Sequence, residues 1–141
     1  MAQQNKNLWG LAAIMGIFAL TWTALHLMQP KELVPWRYNF EGAVQEAKAS
    51  KLPIFMDFTA SWCGPCQAMR HTTWADPLVA KALTAYVPLS IDIDANPNLA
   101  AEFGVQTIPS FFVFDAESGK ILKEYREGAL AAGEFLRWLK R

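Results

Sequence analysis

Residues 57–69 read DFTASWCGPCQAM and hold both cysteines of the chain, Cys63 and Cys66, separated by Gly64 and Pro65. Two thiols at that spacing can serve as a redox pair, as half of a soft-metal site, or as a structural staple. The staple is the weakest reading, because a bridge across so short a loop removes little entropy from the unfolded chain. Two cysteines cannot supply the four ligands of a structural zinc site within one chain. A copper- or zinc-handling module that uses Cys63 and Cys66 as soft ligands stays open at this level. Redox chemistry asks for a thiolate, and a helix N-terminus favours one through its macrodipole and unpaired backbone N–H groups. The motif places Cys63 at such a position. Cys66, one turn further in, is expected to be the less exposed sulfur, able to attack a mixed disulfide on Cys63 and release the reduced partner. Pro65 suits a first helical turn, where its missing N–H would lack a partner anyway.

Asp57 stands inside the apolar run LPIFMDFTA, where an ionised carboxylate is costly. Burial raises a carboxylate's pKa, so Asp57 is expected to move a proton to or from Cys66 as the disulfide opens and closes. The plainer role is a partly hydrated acid at a strand end. His71 with Met69 could be imagined as metal ligands, but positions eight apart on a helix lie about 12 Å apart along its axis, too far from Cys63. Asp92 and Asp94 alternate along a strand, which could suggest a cation site; Asp94 is expected instead to end the strand and to help start the next helix. Phe111, Phe112, Phe114 and Trp138 read as core.

These residues need elements to position them. Phe40, Ala43, Val44 and Ala47 fall at helical spacing, and the run around Asp57 reads as a strand covered on both faces. A helix opens at the cysteines and runs through about Thr73, and Asp76–Pro77 cap and begin another. VPLSIDID is a strand, NPNLAAEFG a short helix closed by Gly104, PSFFVFD a strand joined through AESG to KILKEYRE, and ALAAGEFLRWLKR a final amphipathic helix. The order α-β-α-α-β-α-β-β-α predicts an α/β fold with a mixed central sheet flanked by helices.

The chain has 141 residues and a formal net charge of zero, with no basic stripe of the kind nucleic acid binding needs. Residues 8–28, LWGLAAIMGIFALTWTALHLM, contain no Asp, Glu, Lys or Arg, and as a helix they match a hydrocarbon core of roughly 30 Å. Trp9 and Trp36 flank the run as interfacial indoles would, and Trp22 lies within it. The expected organisation is an N-terminal tail and single transmembrane anchor over 1–29, a linker over 30–36 and one domain over 37–141. A cleaved signal peptide and a buried helix are the alternatives; the run is longer than a signal's apolar region and lacks a small-residue cleavage site. Lys6 and the α-amino group precede the run and Lys31 and Arg37 follow it, so flanking charge does not orient it. His26 reads as an interfacial residue.

DFTASWCGPC, followed by TIPSFFVF and GKILKEYREGAL, resembles the thioredoxin superfamily over essentially the whole of the second region. The lead-in PWRYNFEGAVQEAKASKLPIFMDF and the helix TTWADPLVAKAL are similar to the thioredoxin-like domains of membrane-linked disulfide reductases, such as the C-terminal domain of DsbD. The resemblance implies a thioredoxin-like fold with Cys63 as attacking thiol, Cys66 as resolving thiol and Asp57 at the family's buried acid position. Trp62 would pack beside the motif. Ile108–Pro109 would be a cis peptide next to the disulfide, where the backbone of Ile108, with Gly64 and Pro65, meets an extended substrate segment. No cofactor beyond the redox-active disulfide Cys63–Cys66, and no metal, is implied. Two departures stand out: Ser90 replaces the lysine that cytosolic thioredoxins carry near the acid, and Thr107 replaces a glycine before the cis proline, which narrows the docking groove. The expected protein is a membrane-tethered thiol:disulfide oxidoreductase that reduces protein disulfides, with protein thiols and disulfides and a membrane electron donor as partners. It is expected in the inner (cytoplasmic) membrane with its domain in the periplasm. Oxidase or isomerase action, and a docking scaffold without turnover, are the remaining alternatives.

Overall fold

A 26-residue helix, α1 (Ala2–Leu27), forms the N-terminal of two compact units, Met1–Pro30 and Lys31–Arg141. The computed structural model describes residues 2–28 and 31–141, with side chains described for 11–25, 27, 28 and 31–141. Leu11, Ile14, Phe18, Trp22 and Leu25 are all exposed on α1. Leu8 to Gly10 and His26, which belong to the expected membrane span, lie outside the described side chains. Over the residues whose side chains are described, which in α1 are 11–25 and 27, no helix is long and apolar enough to cross a membrane.

The second unit begins with chain laid against the fold before any regular element. Leu33 donates its N–H to the carbonyl of Trp74 at 2.8 Å, Val34 is buried, and Arg37 forms an isolated parallel bridge with Leu89. Residues 31–36, expected as linker, therefore cover part of the core. Helix α2 (Phe40–Ser50) starts where the Asn39 side chain accepts from the Gly42 N–H at 2.7 Å, and it stops at Lys51 in the left-handed region. Strand β1 (Ile54–Thr59) follows with all six residues buried. Next comes α3 (Gly64–His71), which ends two residues short of the expected Thr73. The reason is tertiary: Thr73 is buried and its hydroxyl donates to the carbonyl of Leu130 at 2.6 Å, pulling the chain out of helical register. Asp76 then caps α4 (Pro77–Leu83), its carboxylate accepting from the N–H groups of Leu78 and Val79.

Strand β2 (Val87–Asp92), helix α5 (Pro97–Glu102), strands β3 (Ser110–Asp115) and β4 (Lys120–Tyr125), and helix α6 (Ala132–Lys140) complete the order read from the sequence. Gly104 (φ +61°) closes α5 and Gly119 (φ +66°) makes the β3–β4 turn, both in a conformation that a side chain resists. The sheet runs β2-β1-β3-β4, with β1 parallel to β2 and antiparallel to β3, and β3 antiparallel to β4. Strict alternation along β1 feeds two cores. Ile54, Met56 and Phe58 meet Ala43 and Ala47 of α2 and Phe103 beyond α5 on one side. Phe55 meets Met69, Trp74, Val79, Leu83, Phe135 and Leu139 on the other. Each fully buried apolar side chain of this size contributes roughly 1.5–3 kcal/mol. The expected mixed sheet with helices on both faces is the structure observed.

Candidate active site

The two cysteines sit where β1 hands over to α3. Cys63 is the N-cap residue, in extended conformation, and its Sγ accepts from the backbone N–H of Cys66 at 3.2 Å. The helix that begins there aims its free N–H groups at this sulfur, the arrangement that favours a thiolate once the bridge opens. In the structure Cys63 and Cys66 are disulfide-bonded, with Cα atoms 5.3 Å apart. The expected difference in exposure is absent: each cysteine is 4% exposed. Ala60, Ile93 and Ile108 close over the pair, so the covering that sequence spacing assigns to Cys66 alone extends to Cys63.

Gly64 and Pro65 occupy the first turn of α3 and are exposed beside the disulfide. Gln67 donates from Nε2 toward the carbonyls of Ala60 and Ser61, fastening the loop that leads into the motif. The Ile108–Pro109 peptide is cis, and the Ile108 carbonyl oxygen lies 3.9 Å from Cys63 Sγ. A backbone acceptor is thus presented at the sulfur, next to buried Pro109 and half-buried Ile108.

Trp62 departs from the expectation of packing. It is 65% exposed, and it is held by its edge, with Nε1 donating to the Asp94 carboxylate at 2.7 Å. Asp94 consequently does not start the following helix. Asp92 at the end of β2 takes the local turn, its Oδ1 accepting from the N–H groups of Asp94 and Ala95, and Asn96 occupies the N-cap of α5. Asp94 is freed to orient the indole across 32 residues of sequence.

Asp57 is 5% exposed on the face of β1 that meets α3, and its Oδ1 has no hydrogen-bond partner among the described residues. Burial, reinforced by the negative charge of Glu32, pushes its carboxyl up from 3.8 to about 7; Arg70 and a hydrogen bond from Trp74 act in the opposite direction. Ser90 lies directly across from Asp57 on β2. Ser90 and Thr59 also line a cleft of about 290 Å³ with Tyr38, Gln67, Arg70 and Asp92, which gives the neighbourhood of the acid a polar side. Thr107 donates its hydroxyl to the carbonyl of Arg126 at 2.9 Å, tying the loop before Pro109 to the end of β4.

The structure thus brings Cys63, Cys66 and Ile108 into one cluster, with Trp62 and Pro109 next to them in the chain and Asp57 upstream on β1. Glu32, Arg70 and Trp74 complete the surroundings and were not marked by motif or spacing, whereas Asp94 was marked for a different role; a buried Trp and a charge pattern around a strand acid were the available signals. Met69 is buried in the core, and among the described residues no three His, Cys, Asp or Glu side chains are arranged to hold a metal.

A family model described as thioredoxin-like matches residues 35–116. A thioredoxin of Rickettsia felis is 31% identical over 97 residues, covering 69% of this chain and 88% of that protein. The thiol:disulfide interchange protein DsbD of Vibrio vulnificus is 28% identical over an alignment of 148 residues that takes in 94% of this chain and 25% of that protein. The oxidised C-terminal domain of DsbD from Neisseria meningitidis is similar in structure, with a TM-score of 0.62 at 27% identity over 71% of this chain and 89% of that one. With the paired cysteines at a helix tip and the family match across most of the second unit, the chain belongs to the thioredoxin-like family and is a thiol:disulfide oxidoreductase.

Proposed function

We propose that this chain is a membrane-tethered reductase of protein disulfides that works by dithiol–disulfide exchange through Cys63 and Cys66. The observation that carries the reading is the N–H of Cys66 directed at Cys63 Sγ at the tip of α3. In the reduced protein, Cys63 thiolate attacks a substrate disulfide. One substrate sulfur bonds to Cys63 and the other leaves as a thiolate that takes a proton from solvent. Cys66 then gives its thiol proton to the Asp57 carboxylate as its sulfur bonds to Cys63 Sγ, and the Cys63–substrate bond breaks. The substrate has gained two electrons and the protein holds the Cys63–Cys66 disulfide. Trp62, Gly64, Pro65, Ile108 and Pro109 would form the docking surface, the Ile108 backbone pairing with an extended segment. No further cofactor takes part, since the electrons reside in the sulfurs.

Support for tethering comes from the uncharged run 8–28, folded as part of a single helix with apolar side chains exposed around it. We place α1 in the inner membrane with the second unit on its extracytoplasmic side. A protein there needs electrons delivered through the membrane, which makes a membrane thiol donor the natural partner; the likeness to DsbD supports this. Tethering raises the effective concentration of that encounter.

The direction of exchange is tested by equilibrating the second unit with glutathione. A potential well below that of the glutathione couple supports the reductase, whereas one near or above it assigns oxidation or isomerisation. Cys66→Ser in the full chain should accumulate mixed disulfides on Cys63. Unchanged activity in that variant would show a docking scaffold, and stoichiometric Cu(I) or Zn(II) binding without exchange would show a metal module.

A further inference from the structure

The segment Glu32–Trp36 precedes every element of the second unit, yet it forms part of the wall around Asp57. Trp36 crosses Trp74 edge to face with ring centres 5.3 Å apart, and its ring centre lies 5.9 Å from that of Phe55. Trp74 is the side chain that hydrogen-bonds Asp57, and Phe55 is two residues before Asp57 on the same strand face. The backbone joins the same contact, through Leu33 N–H to the Trp74 carbonyl. The indole N–H of Trp36 donates to the Glu32 carboxylate. The ring that packs on Trp74 and Phe55 therefore also fixes an acid beside them.

We propose that Glu32 is a positioning residue of the redox site: held by Trp36, its carboxylate sets the pH at which Asp57 exchanges a proton with Cys66. The proposal rests on the reading of Asp57 as the proton carrier. Its sign follows from charge, since one carboxylate disfavours ionisation of another, and Arg70 of α3 opposes it. The other elements around Asp57 bring no competing charge to it. Across β2 stands Ser90, with Asp92 further along the cleft; across β3 stands Phe111, with Tyr125 of β4 stacked on its ring. From α4 and α6 come Val79, Leu83, Phe135 and Leu139. The remaining titratable groups are Tyr38 in the cleft, Tyr86 against the same core, Lys123 over the Trp138 ring, and Cys66. Burial brings the acid near neutrality, where a proton carrier is most effective, and Glu32 and Arg70 adjust it in opposite directions around that point.

The test is the pH dependence of the second nitrothiobenzoate release when the reduced full chain, in detergent micelles, meets Ellman's reagent, since that phase reports attack by Cys66. Glu32→Gln keeps an acceptor for Trp36 but loses the charge. It should move the limb set by Asp57 to lower pH by roughly half a unit to one unit, and Glu32→Asp should restore most of the wild-type limb. Trp36→Phe retains a ring but releases Glu32, and should move the limb the same way by less. A Glu32→Gln limb that coincides with wild type, where Asp57→Asn abolishes the limb, overturns this inference alone. A limb that survives Asp57→Asn overturns the proton-carrier reading and this inference together.

Discussion

One face of β1 carries Ile54, Met56 and Phe58 against α2 and the α5 region; the other carries Phe55, Asp57 and Thr59 against α3, α4 and α6. Both are buried to the same degree, and both are lined by aromatic rings. The difference is a carboxyl group at Asp57 and, at the end of the strand, the hydroxyl of Thr59. Where the first face needs only volume and apolarity, the second holds an acid among rings, gives it a single indole hydrogen bond, and offsets its charge only in part through Arg70. A position chosen for stability alone would carry an apolar side chain, as Phe55, Met56 and Phe58 do. The contrast separates what the strand does for the fold from what it does for chemistry.

The contrast breaks first under truncation on the plain face. Phe58 is fully buried against Phe103 and Phe112, so Phe58→Ala should lose about 3–5 kcal/mol in denaturant unfolding. The pH dependence of exchange in the folded fraction should stay that of wild type. A shifted pH profile would mean that the two faces are not separable.

The next largest effect lies on the chemical face and depends on pH. The folded protein holds the Asp57 proton up to about pH 7, whereas the unfolded chain releases it near 3.8. Native protein therefore binds more protons between those values, and its stability is greatest below about pH 4, declines as pH rises through the window, and is lowest above about 7. The whole interval corresponds to on the order of 4 kcal/mol. Asp57→Asn removes the dependence, and after the burial cost of its amide the oxidised variant should exceed wild type by about 2 kcal/mol at pH 8. Exchange should nevertheless be slower in this variant, by about ten- to a hundredfold in the step that releases the partner. Unfolding curves that run parallel from acid to alkaline pH would remove the physical basis for the acid's role.

Local signals made much of this legible. The helix cap at Asp76, the turn glycines, and an acid inside a strand are written in adjacent residues, and so is the cysteine at a helix tip. The parts that escaped are held across distance. Glu32 lies in what reads as linker and reaches Asp57 only because Trp36 finds Trp74. In DIDANP, three side chains each carry the chemistry of a helix cap, and sequence spacing chose Asp94. The fold assigns the turn to Asp92 and Asp94 to Trp62. The equal covering of Cys63 and Cys66 depends on Ile93 and Ile108, which no local pattern connects to the motif.

A smaller effect sharpens the comparison at the docking rim, which belongs to neither core. Thr107→Gly deletes the hydrogen bond to the Arg126 carbonyl and adds backbone freedom, so stability should fall by about 1–2 kcal/mol. The same change should widen the groove, and kcat/KM should rise for a folded protein disulfide more than for a small disulfide. An equal change for both substrates would place Thr107 outside the docking surface.

The smallest effect concerns Trp62 and separates orientation from packing. Its indole is largely exposed, so the bond to Asp94 holds the ring in place without burying it. Asp94→Ala should cost only about 0.5 kcal/mol, because water replaces a bond at the surface. The ring should gain motion, read as a fall in the fluorescence anisotropy of a variant in which Trp62 is the only tryptophan changed in environment. KM for a protein disulfide should rise while the ionisation of Cys63 stays put, since α3 and the Cys66 N–H are untouched. If the thiol of Cys63 titrates differently in Asp94→Ala, the indole is coupled to the sulfur electrostatically, and the rim and the helix tip must be treated as one site.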